Sequence, residues 1–279
     1  WIAAATAYSV TGTQMIPFYI FYSMFGFQRI GDLAWAAGDS RARGFVLGAT
    51  AGRTTLNGEG LQHEDGHSHL MSATIPNCVS YDPTFGYELA VIVQEGLRRM
   101  VQNQEDVYYY ITLMNENYAN PDIAIENTQD VLRGAYRISE FKPENNSTTK
   151  RVTLMGSGAI LLEVLAAAKL LVAQGVSVDV ISVTSWSELA RDGRACAERD
   201  TKTMAHLTAL LSKSQGPVLA ASDYVCAVTE SVRAFIPEGR AYKTLGTDGF
   251  GRSDTRSALR QYFGVDASAI VQAADAMLR

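Results

Sequence analysis

Short apolar strands alternate with segments of helical period along this chain, and that alternation restricts the fold more than any other feature of the sequence. Gln14 to Ser23 (QMIPFYIFYS) is dense in aromatic and β-branched residues and reads as a buried strand. Gly44 to Thr50 (GFVLGAT) and Val107 to Leu113 (VYYYITL) read as further strands, with Asn77 to Tyr81 a weaker one. Between them, Gly26 to Ala42 reads as a helix, and Gly86 to Val101 spaces its apolar residues at helical period. A second series follows: strands at Arg151 to Met155, Val176 to Val183 and Val218 to Ser222, with helices at about Ile160 to Ala173, Ala227 to Phe235 and Ala267 to Leu278. Strands separated by helices pair in parallel and are covered on both faces. The expectation is an α/β chain of two three-layer domains with mainly parallel sheets.

Between about Ala119 and Lys150 the sequence turns polar and turn-rich, which reads as an interdomain connection. Asn145 and Asn146 satisfy the glycosylation pattern there, and no function is expected of them. Gly156-Ser157-Gly158 sits between a strand and a helix, as in a dinucleotide-binding turn. The third glycine is missing, however, and the nearest acidic residue, Asp179, falls inside the next strand. A tight turn that lets strand and helix pack closely is the reading that survives.

One segment has no hydrophobic period. Arg53 to Ser72 (RTTLNGEGLQHEDGHSHLMS) joins two strands and holds three of the four histidines, His63, His67 and His69, beside Glu59, Glu64 and Asp65. Long connections inside compact domains are commonly functional, because their backbone polar groups must be satisfied without a regular ladder. Histidine spacing of this kind is compatible with an exposed polar loop, a metal site or a catalytic loop. Metal is disfavoured by the lack of an HExxH helix or a CxxC pair. Catalysis is favoured because an imidazole both donates and accepts protons near neutral pH.

The formal charge of −5 and a pI near 5.4 give no broad attraction for nucleic acid or anionic membranes. Three widely spaced cysteines, Cys78, Cys196 and Cys226, imply no disulfide framework and fit a reducing, cytoplasmic compartment. No segment reaches eighteen uninterrupted apolar residues, so no membrane span is expected. Ile2 to Val10 reads as helix rather than as a flexible tail, and a longer native chain is expected from this opening on Trp1.

Three runs carry a family resemblance: Phe18 to Phe45 (FYIFYSMFGFQRIGDLAWAAGDSRARGF), Gly52 to Leu70 (GRTTLNGEGLQHEDGHSHL) and Thr244 to Phe263 (TLGTDGFGRSDTRSALRQYF). The chain resembles the homodimeric bacterial pyruvate dehydrogenases, the thiamine diphosphate-dependent decarboxylating component of the pyruvate dehydrogenase complex. The resemblance implies that residues 1–120 form part of a transketolase-like pyrimidine-binding domain, 121–150 a connection, and 151–279 a transketolase carboxyl-terminal-like domain. It implies that Tyr22 and Phe25 flank the aminopyrimidine of thiamine diphosphate and that His63 is the active-centre histidine. His67 and His69 would support the loop or shape its entrance, and Glu59 and Asp65 would anchor it.

Magnesium ligands and the ring-activating glutamate of the family have no counterpart here, so no metal ligand is expected in this chain and the isolated piece is expected to be inactive. DGFGRSD (Asp248 to Asp254) reads as a turn, with Ser253 or Asp254 capping the next helix. The implied partners are a second copy, pyruvate, and the lipoyl group of the dihydrolipoyl acetyltransferase component. A non-catalytic scaffold and a transketolase-type enzyme are the alternatives.

Overall fold

The computed structural model describes residues 1–121, 128–143, 150–198 and 203–279. The glycosylation patterns at Asn145 and Asn146 lie outside them.

The amino-terminal helix is broken in two, α1 (Ile2–Ala5) and α2 (Ala7–Thr11). At the break, the Thr6 hydroxyl donates to the Ile2 carbonyl at 2.8 Å, so the side chain competes with the backbone ladder. Four parallel strands follow: β1 (Phe18–Phe21), β2 (Phe45–Ala49), β3 (Cys78–Tyr81) and β4 (Tyr108–Leu113), in the order β1-β2-β4-β3. α3 (Phe27–Asp39), the short α4 (Ser68–Ser72) and α5 (Gly86–Leu97) connect them. The period of two along β4 sorts its side chains: Tyr108 and Tyr110 pack with Phe27, Ile75 and Ala34 on one face, Tyr109 and Ile111 with Ile92 and Met100 on the other.

The second unit begins with α6 (Thr128–Leu132) and β5 (Ala135–Phe141), inside the stretch expected to be a connection. Its five strands are β5, β6 (Arg151–Gly156), β7 (Ser177–Val183), β8 (Val218–Ala221) and β9 (Tyr242–Leu245), in the order β5-β7-β6-β8-β9. β5 alone runs antiparallel, against β7. α7 (Ile160–Ala173), α8 (Trp186–Glu198), α9 (His206–Leu211), α10 (Cys226–Glu230), α11 (Arg256–Phe263) and α12 (Ala267–Met277) complete it. Val152, Leu154, Val178, Val180, Leu219 and Ala221 face α7 and α12, whereas Met155, Ile181, Val183, Val218 and Ala220 face α8 and α9. Both units are therefore three layers deep, with mainly parallel sheets.

Two expectations need correction. The strand over Gln14 to Ser23 shortens to Phe18–Phe21 and is an exposed edge, with Phe18, Tyr19 and Ile20 51%, 50% and 63% accessible. Pro17 lacks an amide hydrogen to extend the ladder, and among the described residues no strand pairs with the outer side of β1. The cap of α11 is Thr255, whose hydroxyl accepts the Ala258 N–H at 3.3 Å, rather than Ser253 or Asp254. The glycine turn at Gly156 does bring strand and helix together, since a side chain there would sit 3.1 Å from Leu161 Cα, but its Gly158 also closes against Asp82 of the first unit. Among the described residues, no helix is long and apolar enough to cross a membrane.

Candidate active site

The parallel strands of the first sheet end together, and the candidate residues lie on the segments that leave those ends. After β1 the chain makes one 3₁₀ turn, Ser23–Phe25, with Tyr22 at its start. The Ser23 hydroxyl donates to the Thr50 carbonyl at 3.1 Å, tying this turn to the segment after β2. A second 3₁₀ turn, Leu61–His63, delivers His63 to the same place.

Three rings meet there. His63 stacks on Tyr22 at 5.1 Å with 22° between planes, and meets Phe25 edge-on at 5.1 Å. Arg29, one turn into α3, lies 4.2 Å over the far side of the system, above Phe25. Glu59 places a carboxylate oxygen 2.7 Å from His63 Nδ1. A carboxylate on Nδ1 holds the proton on that nitrogen and fixes the plane of the ring, leaving Nε2 as the working atom. Sequence reasoning took Glu59 for a loop anchor; its spacing of four from His63 was the available signal.

The other candidates separate from this group. Asp65 is buried and accepts the amides of His67 and Ser68, both at 3.0 Å, and the Ser68 hydroxyl at 2.5 Å, so it anchors the start of α4. His69 is buried between the two units, with Nε2 3.0 Å from Thr112 Oγ1 and 4.0 Å from Asp82. Burial holds its pKa below the ordinary imidazole value and so favours the neutral ring. Its ring packs against Tyr110 and Tyr224. His206, the fourth histidine, sits on α9 with Nε2 2.8 Å from the Ala135 carbonyl oxygen.

The second unit grips the loop at several points that the sequence reading missed. Asp223, just past β8, accepts the Thr54 amide at 3.0 Å and the Thr55 hydroxyl at 2.8 Å. Gly52 is required here: its φ is +90°, and a Cβ would lie 2.2 Å from the Asp223 carboxylate. Burial pushes the Asp223 carboxyl up to about 6, against the pull of the Thr55 and Thr54 hydrogen bonds. The buried Arg53 guanidinium donates to the Thr247 carbonyl. Gly58 N–H donates to the Asp254 carbonyl at 2.9 Å, and Val225 N–H to the Gly66 carbonyl at 2.8 Å.

Ring faces of this kind attract flat heterocycles without demanding hydrogen bonds. Among the described residues, no group of three or more histidine, cysteine, aspartate or glutamate side chains is arranged to hold one.

Residues 1–121 match the family described as pyruvate dehydrogenase E1 component middle domain, and residues 134–266 match the transketolase-like C-terminal domain. The chain is 58% identical over 274 residues to the pyruvate dehydrogenase E1 component of Cupriavidus necator, a match covering 95% of this chain and 30% of that protein. To the component of the same name from Pseudomonas aeruginosa it is 54% identical, and to that of Escherichia coli 52%, each covering 98% of this chain and 31% of the relative. The chain thus spans about a third of the length of the curated relatives it matches.

Among solved structures, transketolase from Leishmania mexicana superposes with a TM-score of 0.70 at 19% identity, covering 95% of this chain and 34% of that one. A structure described as split gene transketolase, inactive beta4 tetramer, superposes at 0.65 with 18% identity, covering 99% of this chain and 80% of that one. These two show a shared fold. With the three-layer units and the sequence identities in agreement, the chain belongs to the pyruvate dehydrogenase E1 component family, carrying its middle-domain sequence in residues 1–121 and its transketolase-like C-terminal domain in residues 134–266.

Proposed function

We propose that this chain supplies one part of a thiamine diphosphate-dependent site that decarboxylates pyruvate and passes the acetyl group to the lipoyl group of an acyltransferase component. The observation that carries the reading is the meeting of Tyr22, Phe25 and His63, with Glu59 on His63 Nδ1. Tyr22 and Phe25 flank the aminopyrimidine of the cofactor. When bound, that cofactor supplies the electron sink for loss of carbon dioxide from a 2-oxo acid. His63 orients the substrate carboxylate and moves protons at Nε2, and Glu59 keeps the imidazole turned toward it.

In this reading magnesium and the diphosphate are held by residues outside this chain. The isolated chain is inactive under this proposal. The partners are a second copy of the chain, whose docking would cover the exposed aromatic edge at β1, and the lipoyl-bearing dihydrolipoyl acetyltransferase. The compartment is the cytoplasm.

The test uses the chain joined at Trp1 to the upstream residues of the Cupriavidus necator relative. His63→Ala is expected to lower kcat for pyruvate-dependent reduction of an artificial electron acceptor by about 10²-fold or more, the usual worth of a positioned acid–base group. Tyr22→Ala is expected to raise the thiamine diphosphate Kd by roughly 2- to 10-fold, the worth of one ring contact. Wild-type kcat in the His63→Ala protein would remove His63 from the mechanism.

A further inference from the structure

Glu64 follows His63 directly in the chain but points the other way, into the second unit. Its side chain is buried, at 1% exposure. Oε2 accepts the Arg252 amide N–H at 2.6 Å, and Oε1 has no hydrogen-bond partner among the described residues. The turn closes on it so tightly that a Cβ at Gly251 would lie 2.2 Å from Oε2. An ionised carboxylate in that position keeps one hydrogen bond in place of a full shell of water, and burial of an under-satisfied charge is costly.

We propose that Glu64 is a positioning residue for His63, locking the loop to the Gly251–Arg252 turn as a neutral carboxyl and loosening that lock when it ionises. The proposal rests on the reading of His63 as the working imidazole. It makes the second unit, through two residues of a turn, a determinant of where that imidazole stands.

The groups facing Glu64 set the range. Burial raises its carboxyl from 4.5 to about 7, the Arg252 amide and the Arg53 guanidinium oppose the rise, and Asp223 adds to it. Asp65 and Asp248 lie near Arg53 and balance its charge. Because the locked pKa lies above the ordinary one, the lock is strongest below pH 4.5, weakens as pH rises toward about 7, and is constant above that. One proton is linked, so the change is about tenfold per pH unit. Asp223 also ionises in this range, at about 6, but its hydrogen bonds hold Thr54 and Thr55 rather than the Gly251–Arg252 turn, so the Arg252 amide reports on Glu64.

The experiment is amide hydrogen exchange by NMR on the 279-residue chain, with the Arg252 N–H as reporter and the contact between the His63 and Tyr22 rings followed by NOE. Expected in wild type is a protection factor at Arg252 that falls about fivefold between pH 6 and 7, as one linked proton requires this close to the shifted value, and is nearly flat above 7.5, with the His63–Tyr22 NOE weakening in step. In Glu64→Gln, whose amide oxygen still accepts the Arg252 N–H, both readouts should be flat over the same interval. Gly251→Ala, which forces the carboxylate outward, should abolish the slope as well and serves if Glu64→Gln does not fold. A slope that persists in either variant, or a flat wild-type profile, overturns the proposal. None of these readouts requires turnover, so failure here is distinct from failure of His63→Ala to lower kcat.

Discussion

The carboxylate beneath the loop carries the plainest residue-level consequence. Asp223 is buried, and its carboxyl is raised from 3.8 to about 6. A raised acid favours the folded state at low pH and loses that advantage as pH climbs from the ordinary value to the shifted one. Relative to Asp223→Asn, the wild-type chain should therefore lose roughly 3 kcal/mol of stability between about pH 4 and pH 6, and no more above that. Urea unfolding at each pH checks this, and parallel stability curves for the two proteins would contradict it. At this scale the sequence was legible where chemistry is concentrated and silent where it is dispersed. The residues around His63 stood out because three histidines and three acids share one short run. Asp223 did not, because its partners Thr54 and Thr55 lie in the other unit, and nothing local marks an aspartate that will be buried by tertiary contact.

Edges explain most of the differences at the level of elements. Central strands such as β4 and β7 are buried on both faces and read as continuous apolar runs. β5 and β9 close the two edges of the second sheet, are only partly buried, and carry charged residues such as Arg137, Glu140 and Lys243. A local reading therefore takes them for loop. α8 escaped for a related reason: its charged, amphipathic sequence WSELARDGRACAE has too few apolar residues to stand out, although Trp186, Leu189 and Ala190 make a full contribution to the core. β1 errs in the opposite direction. Its aromatic sequence looks like interior, yet Ile20 is 63% exposed in the single chain. An exposed apolar edge of this kind offers unpaired backbone groups to another chain, and the proposed second copy would dock there. Ile20→Lys should leave the unfolding free energy within about 0.5 kcal/mol of wild type, as expected for an exposed position, while abolishing self-association in sedimentation equilibrium. A variant that dimerises as wild type would remove β1 from the interface.

For the molecule as a whole, alternation of strand and helix was enough to foresee two α/β units, and the long matching runs were enough to foresee the family. How the units meet was not foreseeable. His69, Thr112 and Asp82 of the first unit form one buried polar group with Tyr224 of the second, whose hydroxyl donates to Asp82 Oδ1 at 2.9 Å. Arg260 of α11 reaches across to Glu116. These contacts make the second unit a wall of the His63 loop rather than an appendage.

The proposal above makes this wall and the Tyr22–Phe25–His63 cluster one part of a site completed by residues beyond this chain. It is tested most directly by pyruvate-dependent reduction of an electron acceptor, with thiamine diphosphate and magnesium present, comparing this chain with the same chain joined to the upstream residues of the Cupriavidus necator relative. Turnover is expected in the extended protein and none in the 279-residue chain. Cofactor-dependent turnover by the short chain, or none in an extended protein shown to be folded, would contradict it.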